Sequence, residues 1–127
     1  MYSDKVIDHF TNPRNVGTIE DADGVAEVGD PSCGDCIQLY LKIKDDCVDE
    51  IKYKVYGCAS AIATSSIFSE LVKGKALEEA MQITDYDVAD ALEGLPQAKM
   101  HCSNLATSAF HYAILNYILK KDQKSHS

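Results

Sequence analysis

Two stretches of alternating apolar and polar residues stand out in the first half of the chain. They run from residue 37 to 44 and from residue 51 to 56, and each places an apolar side chain at nearly every second position. A period of two is typical of a β-strand with one buried face. The segment Asp45–Cys47 lies between them and supplies a turn, so the two stretches predict an antiparallel β-hairpin. A shorter strand is predicted from Gly24 to Gly29.

Beyond Gly57 the spacing changes, and apolar or small residues recur three or four positions apart, as on one face of a helix. This helix is predicted to end at Gly74, since glycine is a common C-terminal stop. Two shorter helices are predicted next. One covers residues 76–82, and the other is capped by Thr84 and ends at Gly94.

The last part of the chain predicts one long helix. Pro96 cannot continue a helix, so residues 95–99 are expected to form a loop, and the helix should begin near His101 or Cys102. Residues 122–127 are polar and are expected to fray. The apolar stripe of this helix is interpreted as core and consists of Ala106, Phe110, Ala113, Ile114, Tyr117 and Ile118.

A short N-terminal helix is predicted over residues 4–10, where Val6, Ile7 and Phe10 share a face. Strands in the first half and helices in the second predict an α+β fold. We expect a small antiparallel β-sheet of about three strands, with helices packed on one face and a long C-terminal helix. The length predicts one domain over residues 1–127.

Composition and charge narrow the classes of function. The 127 residues are 46% hydrophobic and 25% charged, as in ordinary globular proteins. The formal net charge of −8 disfavours nucleic acid as a partner and favours cations and basic surfaces. The N-terminus resembles neither a secretory signal nor a transit peptide. No apolar run reaches the roughly 18 residues of a membrane span, so we expect a cytoplasmic protein.

Five cysteines are the main candidates for chemistry. An odd number in a chain that looks cytosolic argues against a disulfide framework and favours metal binding or thiol chemistry. Three of them lie where one element is predicted to end and another to begin: Cys33 in a Gly- and Pro-containing loop, Cys58 after the hairpin, and Cys102 at the start of the long helix. Sites are usually built at such positions.

Hairpin geometry predicts how these cysteines meet. With the turn centred near residues 46 to 47, Cys36 should lie opposite Cys58, and Cys33 should lie one or two positions further out. Cross-strand Cβ atoms are about 4.5–5.5 Å apart, within reach of a shared metal. Cys102 should be favoured as a thiolate by the helix N-terminus, and we infer from packing that it joins them.

Two further side chains flank the three thiols. Asp35 and His101 are each a candidate for the fourth ligand that three thiolates leave missing. This donor set suits an iron–sulfur cluster and suits tetrahedral zinc equally well.

The other two cysteines, Cys36 and Cys47, are weaker candidates for ligands. Cys33-Gly34-Asp35-Cys36 is a CxxC motif, but it opens a strand rather than a helix and no second CxxC exists, which disfavours a thioredoxin-type dithiol and a zinc ribbon. Cys36 is expected not to be a resting ligand, although it could substitute for Cys33. Cys47 is expected to be a spectator at the far end of the hairpin.

Several motifs in order resemble the U-type iron–sulfur cluster assembly scaffold family, the family of IscU and the N-terminal domain of NifU. The resemblance covers Tyr2 to about Leu119. Its motifs are SDKV with HF and NPRNVG near the N-terminus, Gly29–Asp35, Gly57–Ala63 and Leu95–Ser103.

The resemblance implies a role for each candidate residue. Cys33, Cys58 and Cys102 match the three ligand cysteines of the family, and Asp35 matches the aspartate that keeps the cluster labile. His101 matches a ligand-candidate histidine. Cys102 matches the cysteine nearest to sulfur delivery, so that Cys102, or a neighbouring cysteine, is the candidate persulfide acceptor.

The same resemblance implies the protein's cargo and partners. The expected product is a [2Fe–2S] cluster, built from Fe and from the sulfur of a cysteine desulfurase. The cluster would be transferred to apo iron–sulfur acceptor proteins, and a homodimer could share it. Zn can occupy the apo site. The chain would then be a scaffold and carrier rather than an enzyme.

This sequence departs from the family pattern in one loop. The chaperone-docking motif of the family often reads LPPVK, but Leu95–Lys99 reads LPQAK. Losing the second proline removes polyproline stiffness, which weakens the case for a dedicated chaperone.

The alternatives are a zinc-dependent sulfur carrier for a cysteine desulfurase and a zinc-stabilised structural module. The zinc-dependent branch carries an insertion and lacks the histidine before the last cysteine. His101 and the compact spacing from Cys58 to Cys102 therefore favour the scaffold.

Overall fold

The structure is a computed structural model that describes residues 3–30, 35–94 and 100–125, with side chains except at 30, 100–103 and 122–125. Three strands form one antiparallel sheet in the order β1-β2-β3. The strands and helices, in chain order, are α1 Asp4–Thr11, β1 Gly24–Asp30, β2 Asp35–Lys44, β3 Cys47–Tyr56, α2 Ala59–Val72, α3 Leu77–Ala80, α4 Asp85–Ala91 and α5 Met100–Ser125.

The predicted α+β fold is confirmed, including the long C-terminal helix. Helix α5 continues through Ser125, into the segment that we expected to fray. The predicted loop at residues 95–99 lies outside the described residues. Among the residues that the structure describes, no helix is both long and apolar enough to cross a membrane.

The hairpin of β2 and β3 is present, but its register differs from the prediction. Asp45 and Asp46 both have positive φ, 53° and 57°, as in the two-residue type I′ turn that matches strand twist. The turn is therefore centred between these two residues, and Cys47 already belongs to β3. This turn alone would place Cys36 opposite Val55, and one further shift makes it pair with Tyr56 rather than with Cys58. A bulge between Lys42 and Ile43 shifts the pairing near the turn.

One face of the sheet carries the core. Ile37, Leu39 and Leu41 of β2 are at most 1% exposed, as are Ile51 and Tyr53 of β3. Helices α2 and α5 pack on this face and contribute further members of the same hydrophobic cluster. Since the residues facing inward alternate with Gln38, Tyr40 and Lys42, the predicted period of two is what the core requires.

Helix α1 packs on α2 through Val6 and His9, which are 1% and 3% exposed. The predicted shared face of Val6, Ile7 and Phe10 is therefore not the buried one, since Ile7 and Phe10 are 50% and 42% exposed. A buried histidine takes the place of the expected apolar side chain, because Ser66 of α2 lies opposite and gives its ring nitrogen a partner.

Helix α5 buries most of the predicted stripe. Ala106, Phe110, Ala113 and Ile114 are at most 2% exposed, and Ala109, which the pattern analysis omitted, is fully buried. Ile118 is 50% exposed, so interpreting it as core was wrong. Near this end of α5, Tyr117 lies against Gly24 at the start of β1.

Candidate functional site

One end of the sheet brings several of the predicted site residues together. Asp30 and Asp35 are the last paired residues of β1 and β2, and Cys36 pairs with Gly29 on one side and Tyr56 on the other. Strand β3 ends at Tyr56, and Gly57 leads directly to Cys58 before α2. The predicted loop that contains Cys33 falls on residues 31–34, between Asp30 and Asp35, and lies outside the described residues.

Asp35 reaches from β2 to the start of α2. Its Oδ1 accepts a hydrogen bond from the Cys58 backbone N–H at 3.2 Å. Backbone N–H groups at a helix N-terminus favour a carboxylate, through both the hydrogen bond and the helix dipole. Asp35 has the same strand parity as Ile37, so it lies on the core face of the sheet, where the helices are.

Cys58 is the N-cap residue of α2, with φ of −74° and ψ of 171°. Its side chain makes no capping hydrogen bond to the helix backbone. Serine, threonine or aspartate would normally do so at this position. Part of the capping at this end of α2 comes from Asp35, whose carboxylate is bonded to the Cys58 backbone N–H. Cys58 itself is half-buried. The structure thus places Asp35 and Cys58 next to each other at the start of α2. That both bind one metal stays a prediction.

Cys36 does not join this pair in the way that the predicted register implied. It is only 6% exposed, but it has the parity of Gln38 and Tyr40, on the sheet face opposite to Asp35. Burial of a cysteine with the parity of the polar face was not expected from the pattern. That it can replace Cys33 as a ligand stays a prediction, and it requires the end of β2 to twist.

Cys47 opens β3 beside the hairpin turn, paired with Lys44. Strand β3 has ten residues, so Cys47 lies on the order of 30 Å from Cys58 at the usual rise per residue. This distance places Cys47 far from the predicted site.

Helix α5 approaches the site with its N-terminal end. Its contact with β1 is fixed at one point by Asn116, whose Oδ1 accepts from the Val25 N–H at 3.1 Å. The buried residues of α5 lie N-terminal to this contact, so the helix runs back along β1 towards Asp30.

His101 and Cys102 lie in the first turn of α5, as predicted. Cys102 stands 11 positions before Ala113, about 16 Å along a helix, while β1 spans seven residues, roughly 20 Å at the strand rise. The first turn of α5 therefore lies towards the same end of the sheet as Asp35. The side chains of His101 and Cys102 lie outside the described atoms, so their role as ligands stays a prediction.

Within the described residues, no group of three or more His, Cys, Asp or Glu side chains could hold a metal ion. Of the five predicted site residues, the structure brings together Asp35 and Cys58. Cys33 lies outside the described residues, and the side chains of His101 and Cys102 lie outside the described atoms.

A buried polar cluster between α1, α2 and β3 was missed by the sequence analysis. His9 Nδ1 and Ser66 Oγ are 2.7 Å apart, and the backbone N–H of Arg14 donates a hydrogen bond to the same hydroxyl at 3.0 Å. Burial, together with the charge of Arg14, lowers the pKa of His9, while Glu70 opposes the shift. Burial also raises the pKa of Tyr53 to about 12. The only signal in the sequence was a histidine three positions after a core valine.

The comparisons with known proteins agree on one family. The family model described as the NifU-like N terminal domain matches residues 1–124. The chain is 60% identical over 120 residues to iron-sulfur cluster assembly scaffold protein IscU 1 of Archaeoglobus fulgidus, covering 94% of this chain and 78% of that protein. It is 48% identical over 127 residues to the Escherichia coli K12 protein of the same name, covering 97% and 98%.

Solved structures show the same fold. An iron-sulfur cluster assembly scaffold protein for the SUF system from Fervidobacterium islandicum superposes with a TM-score of 0.73 at 26% identity, over 88% of this chain and 95% of that one. A NifU-like protein from Brucella abortus superposes with a TM-score of 0.72 at 21% identity, covering 92% and 94%.

Proposed function

The chain belongs to the family of NifU-like N-terminal domains, and on this premise we propose that it is a scaffold for the assembly of iron–sulfur clusters and their transfer to other proteins. One structural observation carries the proposal: a carboxylate, Asp35, is docked beside a cysteine, Cys58, at the end of the sheet. The names of the relatives at 45–60% identity support the same function.

The proposed ligands are Cys33, Cys58 and Cys102, with Asp35 or His101 in the fourth position. Three thiolates bind iron tightly, whereas a carboxylate is a harder and more easily displaced ligand. The proposed cargo is a [2Fe–2S] cluster assembled from Fe and sulfide, and Zn could occupy the same thiols in its absence. The oxygen of Asp35 next to Cys58 supports this mixed set.

Sulfur would arrive by thiol exchange. The Cys102 thiolate attacks the outer sulfur of a persulfide on a cysteine desulfurase, so that a new S–S bond forms on Cys102 and the donor cysteine leaves as a thiolate. Two electrons from an external reductant then release this sulfur as sulfide and regenerate the Cys102 thiolate. Placement of Cys102 in the first turn of α5 favours the thiolate form.

Release follows from the weak ligand. An acceptor thiolate displaces the Asp35 carboxylate from iron, and the released carboxylate lies within hydrogen-bond reach of the Cys58 N–H. The loss of one iron–oxygen bond is thereby partly offset within the scaffold. We propose a cytoplasmic protein that acts as a scaffold and carrier and not as an enzyme, with a cysteine desulfurase and apo iron–sulfur proteins as its partners.

Anaerobic reconstitution with iron and sulfide tests the proposed function. The visible spectrum should develop sulfide-to-iron charge-transfer bands, and the bands should move to an added apo-acceptor. A colourless protein that keeps one zinc and ignores iron and sulfide would instead support a zinc-dependent sulfur carrier. Mass spectrometry of Cys102 after incubation with a desulfurase distinguishes persulfide transfer from simple metal storage.

A further inference from the structure

The link between β3 and α2 leaves no room for a Cβ at Gly57 while the Asp35 carboxylate keeps its position. A Cβ built on Gly57 would overlap Oδ1 of Asp35 and would lie 3.0 Å from its Cγ. The third neighbour is the Cβ of Ala61, at 3.2 Å. The Asp35 carboxylate thus packs directly against the backbone of Gly57. In this position it accepts a hydrogen bond from the N–H of the next residue, Cys58.

The geometry points to Gly57 as a positioning residue, which holds the Asp35 carboxylate beside Cys58 by carrying no side chain of its own. This inference rests on the proposed function, in which Asp35 is the labile ligand of iron. In the proposed function, Gly57 has no side chain that could bind iron and does not contact the metal. Its contribution is steric, because any Cβ at position 57 occupies the space of the carboxylate oxygen.

The packing leaves Asp35 few alternatives. It is paired with Asp30 across the sheet, so its backbone cannot move away from the start of α2 without breaking β-sheet pairing. Rotation of the side chain is the cheaper response to a Cβ at position 57. Such a rotation takes the carboxylate away from Cys58, and with it the mixed oxygen and sulfur ligand set.

The test is a double-mutant cycle on metal-free protein, because coupling between two residues in contact appears as non-additivity. Gly57→Ala should lower the thermal midpoint by about 4 °C or more. In an Asp35→Ala background, Gly57→Ala should lower the thermal midpoint by less than half as much, because the overlapping carboxylate is gone. In an Asp35→Asn background the full cost should return, since the amide keeps the shape of the carboxylate.

Gly17→Ala is the matched control. Gly17 has φ of 145°, close to the 158° of Gly57, but its Cβ would meet nothing nearer than Lys52 Cδ at 3.8 Å. Any loss of thermal stability that arises from the backbone conformation alone should therefore appear in both Gly17→Ala and Gly57→Ala. The effect of Gly17→Ala should be the same with and without the Asp35 side chain.

The second measurement is made on cluster-loaded protein. Gly57→Ala should change cluster lifetime and the rate of transfer in the same direction as Asp35→Ala, and the double variant should match Asp35→Ala alone. Effects of Gly57→Ala on lifetime and midpoint that add to those of Asp35→Ala would overturn the inference and leave the proposed function intact. Failure of the wild-type chain to assemble a cluster would refute the function, while the metal-free cycle would still decide the contact.

Discussion

Among single residues, Asp35 has a contact that the sequence did not predict. Its hydrogen bond with the Cys58 N–H means that it stabilises the start of α2 in addition to its proposed role at iron. Asp35→Ala should therefore lower the free energy of unfolding of the metal-free chain by about 1 kcal/mol, as for the loss of a helix cap.

The same variant should nevertheless hold its cluster longer and pass it more slowly to an apo-acceptor, because the most easily displaced ligand is gone. Cluster half-life and transfer rate, followed by visible absorption, decide between the two roles. A shorter-lived cluster in the less stable variant would mean that Asp35 is structural only and would leave His101 as the candidate fourth ligand.

The cysteines at the two ends of β3 provide an internal comparison. Cys58→Ser should abolish stable cluster binding, because two thiolates and weak oxygen ligands hold iron poorly. Cys47→Ser should leave the cluster yield unchanged, since its thiol lies a full strand length away. The same loss is expected for Cys33→Ser and Cys102→Ser. Low yield in Cys47→Ser alone would contradict the proposed location of the site.

Among the secondary-structure elements, the hairpin turn shows how turn chemistry sets register. Asp45 and Asp46 both adopt positive φ, a conformation that aspartate tolerates and glycine favours. Asp46→Gly should stabilise the chain by up to about 0.5 kcal/mol, because relief of the left-handed conformation outweighs the added freedom of the unfolded chain. Asp46→Val should destabilise it, since a β-branched side chain is strained there.

Urea unfolding of both variants, with Asp49→Gly as a control in the following strand, measures the effect. Equal stabilities of Asp46→Gly and Asp46→Val would contradict a type I′ turn at this position. The two-residue turn, together with the bulge between Lys42 and Ile43, also determines that Cys36 pairs with Tyr56 and that Cys58 lies beyond the paired part of β3.

For the molecule as a whole, His9 is the group whose protonation should oppose folding. It is 3% exposed, Ser66 lies 2.7 Å from Nδ1, and Glu70 lies 3.5 Å from Nε2. Burial and Arg14 lower the pKa of His9 from its ordinary 6.5. The unfolded chain then binds this proton more readily than the folded one, so stability is lost as the pH falls below about 6.5.

Urea unfolding at a series of pH values between 7.5 and 5 measures this contribution. The free energy of unfolding of the wild type should fall more steeply over this interval than that of His9→Gln, which has no titrating ring. Groups common to both proteins cancel in the comparison. Parallel pH profiles would show that His9 keeps the same proton affinity in the folded and unfolded chains.

Much of the fold could be predicted because it follows from local patterns. The period of two in β2 and β3 and the helical spacing of α2 and α5 mark which side chains can be buried together. Thr84 and Asp87 form the capping box that starts α4, an interaction within four residues of sequence. The family resemblance likewise rests on contiguous motifs, and the match over residues 1–124 agrees with it.

Only the tertiary structure decided which of the possible faces and pairings are used. The burial of His9, the exposure of Ile118 and the pairing of Cys36 with Tyr56 depend on partners distant in sequence. The contact of Asp35 with Gly57 and Cys58 is of the same kind. The local pattern determines which secondary structure each segment can form. The close contact between Gly57 and the Asp35 carboxylate exists only after two segments more than twenty residues apart in the chain have packed against each other.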